Sequence, residues 1–291
     1  MEQHRINAGP LTVTIKASGA EPTSIAHATA GEVLWQAGPA WPRHAPVLFP
    51  IVGALAHDEY RHGARSFKLG RHGFARDLDF AWTDVASDAC TLTLVDDDRT
   101  FALFPFRFRL DIRYSFAADT LAVAHTVHNP GIETLPASLG AHPAFRWPLA
   151  DGVPKEAHVL TFAHEEPEPI RRLAGALLDP TPFPTPIRGR ELTLDPSLFD
   201  ADAIILARPR STSVTYSASG TPRLHFSWTG FEQLGLWSNL GGDFVCIEPW
   251  YGYASPVEFD GDFAEKPGLM HLPPGASMDF EWRVRIAEPG G

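Results

Sequence analysis

Phe106-Arg107-Phe108-Arg109-Leu110-Asp111-Ile112-Arg113-Tyr114 alternates apolar and charged side chains, position by position. Side chains along a β-strand point alternately to its two faces. A period of two therefore predicts a strand with one face in a core and one in water. Working outward, runs of similar patterning occur at 11–17, 78–85, 90–95, 121–127, 213–216, 224–228 and 278–286. Long helical patterns are hard to find. The 27 prolines and 24 glycines are spread along the chain rather than gathered into a linker. Many short strands with frequent turns and few helices predict an all-β protein, a sandwich or a closed sheet system.

A chain of 291 residues suffices for one large β domain or two smaller ones. It shows no repeat period and no low-complexity tract, so one domain over 1–291 is the simpler organisation. Segment 167–186 holds six prolines and reads as a long surface excursion. A hydrophobic content of 44% with 20% charged residues fits a soluble globular chain. The net charge of −11 argues against nucleic acid or an anionic membrane as the main partner. It does not argue against a few arginines gathered inside a pocket. No apolar run approaches the roughly 18 residues of a membrane helix. Glu2, Lys16 and Glu21 leave no signal-peptide core near the start. Cys90 and Cys246 both fall in strand-like apolar runs, which predicts two buried thiols and a cytoplasmic location.

The chemistry centres on Phe244-Val245-Cys246-Ile247-Glu248-Pro249-Trp250-Tyr251-Gly252-Tyr253. Residues 244–247 suit a strand buried on both faces. Glu248 is then expected where Pro249, which has no N–H, stops the ladder. Trp250, Tyr251 and Tyr253 are expected in the loop that follows. A carboxylate walled by aromatics suits a sugar: rings stack on C–H faces, and desolvation raises the carboxyl pKa toward acid–base use. The plainer reading is a loop glutamate beside rings that cap a core.

Three other stretches stand out. In Leu139-Gly140-Ala141-His142-Pro143-Ala144-Phe145-Arg146-Trp147, Pro143 restricts the backbone beside His142. A histidine held so suits a general acid, or equally a core histidine bonded to a carbonyl. Arg71-His72-Gly73-Phe74-Ala75-Arg76-Asp77 sends His72 and Arg76 toward one pocket if Gly73 turns the chain. The proline-stiffened segment 41–53 either lines a cleft or forms a buried crossover. Asp202 precedes a buried strand, and Trp237 is a candidate pocket wall. His44, His57, His62 and His72 raise the question of a metal, but their spacing matches no zinc pattern and neither cysteine is nearby in sequence.

His72-Gly73-Phe74-Ala75-Arg76, Gly140-Ala141-His142-Pro143, Leu234-Gly235-Leu236-Trp237-Ser238 and Ile247-Glu248-Pro249-Trp250, in this order, resemble the aldose 1-epimerase (galactose mutarotase) superfamily. Leu48-Phe49-Pro50-Ile51-Val52-Gly53 is similar to its LacX-like branch. The resemblance covers almost the whole chain. It implies a large antiparallel β-sandwich with a sugar in an open cleft, and anomer interconversion without cofactor or metal. It also implies Glu248 as general base, His142 as general acid and His72 as the second active-site histidine. Asp202 is the loosest match, to a sugar-binding aspartate. Arg76, Trp237 and Trp250 complete the expected binding residues. The branch commonly carries an arginine where this chain has Ala54, and Arg43 or Arg71 is expected to take its place. The expected partner is a small-molecule sugar, and the expected state a monomer or homodimer. A hexose-6-phosphate mutarotase and a non-catalytic carbohydrate-binding sandwich are the competing readings.

Overall fold

The computed structural model describes residues 1–288. Its burial follows the opening alternation. Phe106, Phe108, Leu110, Ile112 and Tyr114 are buried, while Arg107, Arg109 and Arg113 are exposed. The ladder begins later than the pattern, with strand Arg109–Ala117, because the Phe106 amide donates to the Phe104 carbonyl instead. This strand belongs to a nine-stranded sheet with the order Glu191–Thr193, Val159–Phe162, Ser213–Ser217, Arg223–Thr229, Ser277–Ala287, Thr120–His128, Arg109–Ala117, Ala89–Val95, Ala81–Val85. All its pairings are antiparallel.

A six-stranded sheet runs in the order Ile204–Leu206, Gln233–Trp237, Phe244–Tyr251, Leu139–Ala141, Val47–Leu48, and Ala144–Arg146 also pairs with Phe244–Tyr251. The first strands of the chain, Gln3–Ala8, Leu11–Lys16, Pro22–His27 and Gly31–Glu32, make a separate four-stranded sheet. Among the described residues the single α-helix is the short Asp98–Leu103. The protein is thus an all-β antiparallel sandwich.

One apolar cluster joins the sheets. Leu110, Val123, Phe226 and Trp282 from the nine-stranded sheet pack with Phe145, Leu236, Val245 and Ile247 from the six-stranded one. Phe145 meets Phe226 edge-on at 5.7 Å, and Tyr251 meets Phe280 at 5.7 Å. Each fully buried side chain of this size contributes roughly 1.5–3 kcal/mol, and that burial pins the register. In Ser277–Ala287 a slip of one residue would replace Phe280, Trp282, Val284 and Ile286 in the core by Asp279, Glu281, Arg283 and Arg285.

Two expectations need correction. Pro249 does not end its strand, which continues through Trp250 to Tyr251, where Leu139 and Gly140 pair with Tyr251 and Trp250. The Ile247 amide donates toward the Pro143 carbonyl, so Pro249, two residues on, presents its missing N–H to the same side. That side faces Ala141, the last residue of its short strand before the His142-Pro143 break, so the missing N–H falls where this pairing ends. Segment 167–186 is also more than an excursion. Leu173–Ala174 pairs with Leu177–Leu178 as a small hairpin, and Arg171 and Ile205 exchange backbone hydrogen bonds. Leu178 of the hairpin shares a small buried cluster with Val52, Ile205 and Trp250, against which Leu173 and Trp237 also pack.

Candidate active site

Strand Phe244–Tyr251 builds the site through its pleat. Val245 and Ile247 enter the main core, while Phe244, Cys246, Glu248 and Trp250 point to the opposite face of the sheet. Trp250 lies close over the face because Gly235 stands beneath it: a Cβ there would come within 2.4 Å of the indole. The strand's two partners on its other side share one register across the His142-Pro143 break. Gly140 aligns with Trp250 and Ala144 with Cys246, which sets His142 opposite Glu248.

The two side chains meet accordingly. His142 Nε2 lies 3.2 Å from Glu248 Oε2. This is an approach rather than an aligned hydrogen bond, since Oε2 and the histidine Nδ1 are both buried without partners. His142 is 7% exposed and Glu248 1%. Burial disfavours the charged form of each. It pushes His142 down to about 3, opposed by the residue's own backbone and helped by Arg76 and Arg43. It holds Glu248 well above the usual carboxyl range, with the Trp250 indole opposing and the Asp202 charge assisting. Burial thus favours the neutral form of both groups, a protonated carboxyl beside a neutral imidazole.

His72 approaches His142 edge-on, with ring centroids 5.8 Å apart. Its N–H donates to the Gly53 carbonyl at 2.8 Å, and its Nδ1 accepts from the Gly53 N–H at 3.1 Å. Nδ1 is thus an acceptor, and the ring proton sits on Nε2. Burial, then His142 and the guanidiniums of Arg76, Arg71 and Arg43, keep His72 well below its ordinary pKa. Gly73 cannot be replaced without movement, because a Cβ would stand 2.3 Å from the Phe49 carbonyl oxygen.

A cavity of about 180 Å³ opens over these groups and brings together His142, Glu248, His72, Asp202, Arg71, Arg76, Trp237 and Trp250. Asp202 sits at φ +63, with its Oδ1 accepting from the Ala203 N–H at 2.7 Å. Arg76 donates to the Arg71 carbonyl at 2.8 Å, while its buried Nε has no hydrogen-bond partner. Arg43 does not line the cavity. Its guanidinium is held by Asp77 at 2.8 Å, whereas Arg71, the other arginine expected in place of the one missing at Ala54, does line the cavity.

Sequence reasoning did not single out Trp41, whose ring stacks on His142 at 4.9 Å with 28° between planes. Its only signal was a place in the proline-stiffened segment 41–53, which does line the cleft through Trp41, Val52 and Gly53. Leu173 and Ala176 of the small hairpin form another part of the wall. One further grouping is invisible to sequence spacing: His142, Cys246 and Glu248 offer possible metal-ligand atoms within 4.8 Å of one another.

The fold and this cavity define an antiparallel β-sandwich with an aromatic-walled histidine–carboxylate site on one sheet face. The family described as aldose 1-epimerase matches residues 2–285, and the chain belongs to it. Protein LacX (plasmid) of Lactococcus lactis subsp. lactis is 34% identical over 278 residues, covering 91% of this chain and 92% of that protein. The structure of a galactose mutarotase related enzyme from Lactobacillus acidophilus superposes with a TM-score of 0.91 at 31% identity, covering 99% of this chain and 98% of the other. A galactose mutarotase-like protein from Lactobacillus casei gives 0.88 at 27% identity, covering 98% and 99%. The chain therefore falls in the LacX-like part of the superfamily. Among the described residues, no helix is long and apolar enough to cross a membrane.

Proposed function

We propose that this protein is a cofactor-independent aldose 1-epimerase that interconverts the α and β anomers of a neutral aldose. The observation that carries the reading is the His142–Glu248 pair, 3.2 Å apart on the floor of a small aromatic-walled cavity. The anomeric hydroxyl oxygen and the ring oxygen are bonded to the same carbon. An acid and a base side by side therefore reach both. A bound sugar brings hydroxyl donors to the unpaired Glu248 Oε2. This stabilises the carboxylate and sends the carboxyl proton to His142 Nε2. Trp41 stacks on the imidazolium so formed.

Glu248 then removes the proton from the anomeric hydroxyl, the bond from C1 to the ring oxygen breaks, and His142 protonates that oxygen. Rotation about C1–C2 in the open aldehyde exposes its other face. Reclosure runs the same transfers backward. His72 Nε2–H donates to the sugar, Trp237 and Trp250 supply the stacking walls, and Asp202 with Arg71 and Arg76 binds its hydroxyls. Each proton-transfer group contributes roughly 10²–10⁴-fold.

Polarimetry on freshly dissolved α-aldoses tests this. Glu248→Gln and His142→Asn should fold normally and each lose about 10²-fold or more in rate. Near wild-type rates in both variants, on a sugar the wild type accepts, would reject the assignment. Sugar binding without any acceleration by the wild type would favour the carbohydrate-binding reading.

A further inference from the structure

We infer that His142, Cys246 and Glu248 form a binding site for a thiophilic divalent cation of the zinc class, which on binding engages the acid–base pair and blocks it. Cys246 has no part in the proton transfers, yet it shares the catalytic face. It lies two residues before Glu248 on one strand, and His142 faces that strand in fixed register. A histidine nitrogen, the cysteine sulfur and a carboxylate oxygen lie within 4.8 Å of one another. All three residues are more than nine-tenths buried, and Glu248 Oε2 has no hydrogen-bond partner.

Mixed nitrogen, sulfur and oxygen donors are the set zinc prefers over magnesium or calcium. Tetrahedral zinc, with bonds of about 2.0–2.3 Å, holds its donors roughly 3.3–3.6 Å apart. The histidine–carboxylate pair already stands at 3.2 Å, and with all three donor atoms within 4.8 Å of one another an ion can draw in Cys246 Sγ as the third ligand. The fourth position faces the cavity, which His142 and Glu248 both line. Binding releases the thiol proton, and the proton of Glu248 where it carries one, to solvent. The ion ties up both proton-transfer groups and occupies the place of the anomeric centre, so it competes with sugar. The inhibitory consequence rests on the mutarotase reading, whereas binding does not.

The test uses the intact protein with Co²⁺ and Zn²⁺ alone. Co²⁺ should produce a thiolate-to-cobalt charge-transfer absorption that Zn²⁺ abolishes. Zn²⁺ should inhibit mutarotation, and a chelator should restore it. Cys246→Ala and Cys246→Ser should keep the basal rate within about twofold, lose the absorption and shift zinc inhibition by about tenfold or more. Cys90→Ala should behave as wild type. The inference is overturned by no thiolate absorption in the wild type, or by absorption that survives in both Cys246 variants. Equal zinc sensitivity of wild type and variants, or activity that chelation lowers and zinc restores, overturns the inhibitory part. A wild type inactive on every sugar still answers the binding question through the absorption.

Discussion

His72 combines two demands that a substitution can separate. Its backbone sits at φ +66, a region that Asn, Asp and His enter more readily than other side chains. Its ring accepts from the Gly53 N–H through Nδ1 and so presents Nε2–H as a donor. Asparagine tolerates the backbone but ends near the Nδ1 position, whereas glutamine reaches the Nε2 position and strains the backbone. His72→Asn should therefore keep stability and lose the donor, with kcat/KM falling about two- to tenfold further than in His72→Gln. His72→Gln should unfold at lower denaturant and retain more activity. Urea midpoints and mutarotation rates, measured on both variants, check the crossing. Two variants equal in both properties would remove the donor role from His72.

Strands explain how much of this could be read beforehand. The alternations at 106–114 and 278–286 are visible because one face of each strand meets water, and they define the sandwich. Phe244–Tyr251 is buried on both faces and has no alternation to show, so its end was misplaced at Pro249. Which strand edge faces a break, and thus excuses a proline, is a fact of pairing that local sequence does not contain. The motifs around His72, His142 and Glu248 pointed to side chains that the fold does gather. Their contact depends on the shared register of Leu139–Ala141 and Ala144–Arg146 with one partner strand. Arg43 lies within the cleft segment but does not line the cavity, and its pairing with Asp77 is a contact that local sequence does not reveal. Trp41 was passed over because an aromatic between prolines carries no periodic signal. The hairpin at 173–178 was hidden by its two-residue strands, too short for any period to register.

Across the whole molecule, buried histidines and net charge set how the protein responds to pH and to substrate charge. His125 stands on the core face of Thr120–His128, and burial pushes it down to about 4 against a backbone hydrogen bond. An unfolded histidine titrates near 6.5, so between these values the unfolded chain binds more protons. Stability from this residue is complete above 6.5 and falls as pH drops toward 4, by on the order of 3 kcal/mol at most. His125→Leu should lose less stability than wild type between pH 7 and 4.5, read from urea midpoints, and equal losses would exclude His125 as a source. The charge argument concerns the site. The net charge of −11 gives no long-range attraction for an anionic sugar. Inside, a phosphate is best held by several guanidiniums making paired bonds. Arg43 is engaged by Asp77, and Arg76 donates to the Arg71 carbonyl with Asp77 nearby, which leaves Arg71 as the cavity's uncommitted cation. One exposed arginine is a weak phosphate site. On the mutarotase reading the protein should accordingly show a higher kcat/KM for neutral aldoses than for their 6-phosphates, measured on one preparation at fixed ionic strength. A preference of about tenfold or more for the phosphate, abolished by Arg71→Ala, would instead establish a hexose-6-phosphate mutarotase.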